Sequence, residues 1–192
     1  MSELTRLWLP ILLATVAVFV WSFLSWMVLQ IHKKDIRSLP PEANDAVMGL
    51  IRDKGIEPGM YMFPMTADAK DYKSEWFLER FNSGPWGSLR VQGSQPNFAK
   101  NLGLTALFYL VVSVLVAYVL SSARAPGAGF GSVFQIGATV AVMAYALGGM
   151  PNAIFFAKEG VAWLTDLLDA VVMGLLTGAI FAALWPSASA AS

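Results

Sequence analysis

The sequence predicts an all-α membrane protein: four transmembrane helices, with a small mixed α+β extramembrane insert between spans 1 and 2. Three observations predict it. Long apolar stretches at 7–31, 101–122, 130–149 and 163–185 each match the about 20 residues that cross about 30 Å of hydrocarbon. Charged residues make up 14% of the 192, against about 25% in soluble domains, and mean hydropathy is +0.57. Most of the charge is gathered in 32–100, too long for a plain loop and therefore expected to be structured.

The first apolar stretch, "LWLPILLATVAVFVWSFLSWMVLQI", exceeds the roughly 7–15 residue core of a signal peptide and lacks a small-residue cleavage site. It reads as an uncleaved anchor over 1–31, with Pro10 tolerated in its first turns. In the polar region, "SLPPEANDAVMGLIRDKG" reads as a helix with prolines at its start and Gly55 as C-cap. "MYMFP" and "GSLRVQG" read as strands of a two-stranded ribbon. "TADAKDYKSEWFLERFNSG" between them reads as a second helix, with Thr66 as N-cap and Gly84 near its end. Within the three-helix region 101–186, the third span should break at Gly148, Gly149 and Pro151, leaving 152–158 at the interface. Residues 187–192 form a tail. Trp8, Trp163 and Trp185 fall near span ends, where amphipathic rings favour the headgroup level. Trp21 and Trp26 do not, and are expected to pack in the bundle or face lipid.

Composition excludes several functions. Net charge is zero, which gives no footing for nucleic acid. The absence of cysteine removes disulfides, thiolate metal sites and cysteine nucleophiles. One histidine, His32, cannot supply a bis-histidine haem site within one chain. The glycines of "GAGFG" lack the strand and lysine of a phosphate loop, and no nucleophile elbow or zincin motif is present. No cofactor is expected, and the chain does not read as an enzyme.

Lys33, Lys34, Arg37, Lys100 and Lys158 flank the spans on one face, and Arg6 and Arg124 on the other. The positive-inside rule then places 32–100 in the cytoplasm. At "HKKDIRSLPPEANDAV", "PGMYMFPM", "GPWGSLRV" and "TGAIFAALWP" the chain resembles an uncharacterised family of small bacterial multi-pass membrane proteins. The resemblance implies a bacterial inner-membrane location and no particular activity.

Four groups of residues bear on function. Met60, Met62 and Met65 have a spacing thioether ligands to Cu(I) use, although methionine is more often an apolar gap-filler. Ala170, Gly174, Gly178 and Ala182 repeat every four positions, the pattern of a close helix–helix contact within the chain or between copies. His32 at a span end suits a proton relay or pH sensor, but the commoner reading is an interfacial polar residue. Asp166 and Asp169 open the fourth span. Counting back from Trp185 places Asp166 at the interface and Asp169 about one turn inside, where the helix dipole and nearby lysines favour negative charge. Their expected role is capping and ion pairing, for which the two need not share one site, so that Asp169→Asn should lower stability modestly and leave any ion flux unchanged. The leading expectation for function is a non-catalytic accessory subunit or scaffold, whose partners are the lipid bilayer and a membrane protein or a second copy. The alternative is a small cation or proton transporter or channel using Asp166 and Asp169. A third is copper handling through the methionines.

Overall fold

The protein was characterised as a computed structural model, which describes residues 5–156, 158 and 160–188. The predicted tail 187–192 therefore lies outside the described residues beyond Ala188. Four helices are long and apolar enough to cross a membrane: Trp8–Val28, Phe98–Ala123, Phe130–Phe155 and Gly160–Ala183. The chain divides into two compact units, one of Met1–Arg37 with Phe98–Ser192, the other Ser38–Asn97.

The first unit holds these four helices. Helix α1 (Trp8–Phe23) runs into a π-helical turn, Leu24–Val28, in which the Leu29 N–H donates to the Leu24 carbonyl at 2.8 Å. Gln30 then takes the left-handed conformation, φ 51°, and a 3₁₀ turn follows at Ile31–Lys34. That reversal folds His32 back beside the end of α1. The later helices of this unit are α4 (Phe98–Ala123), α5 (Phe130–Val142), α6 (Met150–Phe155) and α7 (Gly160–Ala183). Helix α7 packs most extensively on α5 and also on α1, which in turn packs on α4. Leu7, Ile11, Val116, Leu120, Val133 and Phe181 form the larger apolar core. A smaller cluster centres on Val18, Tyr109 and Met173.

The expected break at Gly148 and Gly149 is present as a two-residue turn, and a π turn precedes it. A π turn at Met143–Leu147 interrupts α5 earlier, Gly148 and Gly149 keep right-handed helical dihedrals, and Pro151 sits in the first turn of α6. Proline is accommodated there because the first-turn N–H groups have no intrahelical partner.

In the second unit, α2 (Pro41–Asp53) begins with Pro41 at N1 and ends at Lys54, followed by Gly55 at φ +59°. The Ile56 N–H closes back on the Ile51 carbonyl at 3.0 Å, a glycine-dependent helix stop. Strands β1 (Gly59–Phe63) and β2 (Gly87–Val91) pair antiparallel, Tyr61 opposite Leu89. Between them the single helix expected from Thr66 is two pieces: a 3₁₀ turn, Ala69–Lys73, and α3 (Glu75–Ser83). Two short polar side chains divide it. Asp68 accepts from Lys70 N at 2.9 Å and Ser74 from Phe77 N at 3.4 Å, each starting its own element. Thr66 is thus not the N-cap of α3; its hydroxyl lies 3.2 Å from Asp71. Phe77 is the buried centre of the unit, with Tyr72 edge-on at 4.8 Å and Phe81 beside it.

Candidate functional site

A lone histidine becomes the centre of the site because three local features converge on it. Trp21 of α1 and Ser25 of the π turn that follows it reach Asp169 on α7. The left-handed Gln30 brings the 3₁₀ turn back against α1, so that the Trp26 and His32 rings stack at 4.0 Å, 4° from parallel. Asp35 follows His32 by three residues, one turn of 3₁₀ helix.

The result is a buried ionisable group in a bundle whose other buried polar side chains include the hydroxyls of Thr15, Ser113 and Thr177. His32 is 4% exposed and Asp169 5%. His32 Nδ1 lies 2.6 Å from Asp35 Oδ2 and Nε2 lies 2.9 Å from Asp169 Oδ2, each within hydrogen-bonding distance. An ionised carboxylate only accepts, so the ring can bond both partners at once only with a proton on each nitrogen. Asp169 also receives Trp21 Nε1 at 3.0 Å and the Ser25 hydroxyl at 2.8 Å. Three donors compensate the cost of taking this carboxylate out of water. Asp35 Oδ2 receives the Thr165 hydroxyl at 2.7 Å, whereas the buried Asp35 Oδ1 meets no donor among the described residues. Burial pushes the Asp35 carboxyl up. The hydrogen bonds from Thr165 and His32, with the charges of His32 and Lys158, outweigh that and hold it below the usual carboxylate range.

Both aspartates of α7 border the same histidine. Asp169 bonds it directly. Asp166 offers an oxygen within 4.8 Å of ligand atoms of His32 and Asp35, and is ion-paired with Lys158. The lysine contact expected for Asp166 is present; Asp169 pairs with an imidazole instead. One nitrogen and two carboxylates are a donor set that suits Zn²⁺ or Mn²⁺. Here the ring nitrogens are spent on Asp35 and Asp169, and a lysine ammonium already sits on Asp166, so the residues satisfy one another as an ion-pair and hydrogen-bond group.

Against family models, curated proteins and solved structures, the chain has no match. The bacterial resemblance gains no support from a family model, and function rests on the geometry.

The other sequence candidates lie elsewhere. Ala170, Gly174, Gly178 and Ala182 are buried against α5 of the same chain. A Cβ on Gly178 would come within 2.8 Å of Ala138 N and Phe134 O, and one on Gly174 would strike Val142. The row is therefore an intramolecular contact in which backbone meets backbone. Met60, Met62 and Met65 are 40%, 44% and 59% exposed, and Arg90 donates to Met60 Sδ at 3.7 Å. A guanidinium on that sulfur works against a Cu(I) site. Trp21, Ser25, Trp26, Asp35 and Thr165 were not singled out as site residues by the sequence reading. The available signal was weak: Trp21 and Ser25 are one turn apart on one helix face, and Asp35 lies three after the only histidine.

Proposed function

We propose that the chain is a multi-pass protein of the bacterial inner membrane, with Ser38–Asn97 on the cytoplasmic side, and that it transfers protons through His32. Insertion is supported by the outward surface of the four helices. Between 22% and 44% of each apolar window is buried inside the protein, leaving side chains such as Leu12, Val16, Phe108 and Leu115 outward. Contiguous apolar surface of that extent belongs against lipid or a partner. Orientation is supported by the lysines and arginines near the span ends on the side of the insert.

One observation carries the proton reading: a buried imidazole with each nitrogen on a different carboxylate. Imidazole takes a proton at one nitrogen and gives one up at the other. Asp35, outside the spans, is the outer partner; Asp169, within α7, is the inner one. Both contacts are already at transfer distance. An ionisable group held inside a membrane bundle is costly and is by default a working group. This prefers the transport alternative over a capping role for Asp169, and assigns Asp166 with Lys158 to the rim. The test is proton uptake into vesicles holding the purified protein, driven by a potassium diffusion potential. Wild-type uptake is expected, and its loss in a folded Asp169→Asn or His32→Gln variant. A silent wild type, or uptake that persists in Asp169→Asn, overturns the reading.

A second reading, an accessory subunit docking through the insert, draws on one observation. All of β1 is exposed, including Tyr61 and Phe63 at 38% and 45%. The small-residue row no longer supports it, because α5 occupies that row. A stoichiometric membrane-protein partner in mild detergent, lost on Tyr61→Ser, is its test.

A further inference from the structure

Tyr145 carries a hydroxyl that the fold leaves without a partner. It lies in the π turn Met143–Leu147, and its Oη is buried with no hydrogen bond to any described residue. A buried hydroxyl left unpaired costs about 1–3 kcal/mol, so its retention calls for a reason. Its surroundings supply one. Tyr145 packs against both apolar clusters of the first unit, at their junction. On one side the Tyr109 ring is edge-on at 5.9 Å. The Tyr109 hydroxyl meets Ser22 and lies within the field of Asp169. On the other side is Thr177, which Tyr145 faces without reaching bonding geometry. The Thr177 hydroxyl donates to the Met173 carbonyl at 2.8 Å, leaving its oxygen free to accept. Thr177 lies eight residues beyond Asp169, about 12 Å further along the buried side of α7. Beyond it Leu7, Ile11, Leu120 and Phe181 are 9% exposed or less, and the Thr15 hydroxyl is bonded to the Ile11 carbonyl and to Ser113.

We propose that the proton path continues inward from Asp169 through the hydroxyls of Tyr109 and Tyr145 to Thr177, and is closed there by Leu7, Ile11, Leu120 and Phe181. A hydroxyl both donates and accepts, so a proton passes by arriving at the oxygen while the original proton leaves, with no net change in the residue. After each passage the O–H must turn back. A hydroxyl bonded firmly to one neighbour resists that turn; one without a fixed partner, facing Tyr109 on one side and Thr177 on the other, does not. The groups bonded to Asp169 are His32 from the 3₁₀ turn, Trp21 from α1 and Ser25 from the π turn, with Tyr109 of α4 within reach of its charge. Transport across the whole protein requires the apolar cluster to part.

This extension rests on the proton reading above, and the experiment separates them. Proton uptake is measured in vesicles for wild type, Asp169→Asn, Tyr145→Phe, Thr177→Val and Thr177→Ser, with thermal stability measured for each. Tyr145→Phe is expected to slow uptake by about tenfold or more, the order of a lost proton-transfer group. Its melting temperature should hold or rise, because an unpaired hydroxyl has gone. Thr177→Val should slow uptake and Thr177→Ser preserve it, a pair that decides the matter even if Tyr145→Phe fails to fold. Uptake that is lost in Asp169→Asn but unchanged in Tyr145→Phe and Thr177→Val overturns the extension alone. No uptake by the wild type overturns both.

Discussion

At the scale of single residues, Asp169 and Asp35 differ in a way their letters conceal. Asp169 has three donors and lies inside α7; Asp35 has two donors on one oxygen and, among the described residues, none on the other. Asp169→Asn keeps the shape and acceptor oxygen but removes the charge facing His32 Nε2. It should lower stability by about 1–3 kcal/mol, the range for a disrupted buried hydrogen bond, read as a shift in the denaturation midpoint in detergent. Asp35 gives a pH signature. Its carboxyl is held below its ordinary value of 3.8 in the folded protein. The unfolded chain therefore takes up the proton first, so the stability Asp35 contributes is fully present above about pH 4 and is lost as pH falls through the folded value. Melting curves of wild type and Asp35→Asn should separate at neutral pH and converge at acid pH; equal separation throughout would contradict this. The sequence showed both α7 aspartates as exceptional but not their shared histidine. A histidine at the end of an apolar run has no periodicity to reveal burial. Its placement depends on Gln30 adopting φ 51°, a conformation uncommon outside glycine.

At the scale of elements, the four long helices were legible because each carries a sustained apolar run, and the ribbon because turn residues bound it. The π turns were not legible. Each inserts a residue into a helix without a proline or glycine at its start, at Leu24 and at Met143. Both adjoin the polar interior, where such turns commonly lie. The division of α3 from the 3₁₀ turn was missed because Asp68 and Ser74 act as caps inside a stretch with helical composition. The small-residue row was legible as a repeat of four, and its location against α5 of the same chain needed the structure. Gly178→Ala should cost about 1–3 kcal/mol through overpacking, since the added methyl meets the backbone of α5. Gly103→Ala on α4 meets nothing within 4 Å and should leave stability unchanged or raise it by up to about 1 kcal/mol. Equal effects at the two glycines, measured by thermal unfolding in detergent, would contradict the α5–α7 contact.

At the scale of the whole molecule, the four long helices turn apolar side chains outward and enclose a buried group of ionisable side chains, His32 and Asp169. Orientation is tested by Gly93→Cys, at an exposed position in the second unit. With Ser38–Asn97 cytoplasmic, a membrane-impermeant thiol reagent should label it in inverted vesicles and leave it untouched in intact cells; labelling in intact cells would reverse the placement. The chain has one histidine, so ¹⁵N-histidine labelling reports on the site without any mutation. The most direct measurement of the central claim is therefore the ¹⁵N spectrum of His32 in lipid bilayers at neutral pH, in wild type and in Asp169→Asn. A ring shared between Asp35 and Asp169 predicts two protonated nitrogens, with the Nε2 signal shifting most in the variant. A neutral ring with one bare nitrogen, or a spectrum unchanged by Asp169→Asn, would contradict it.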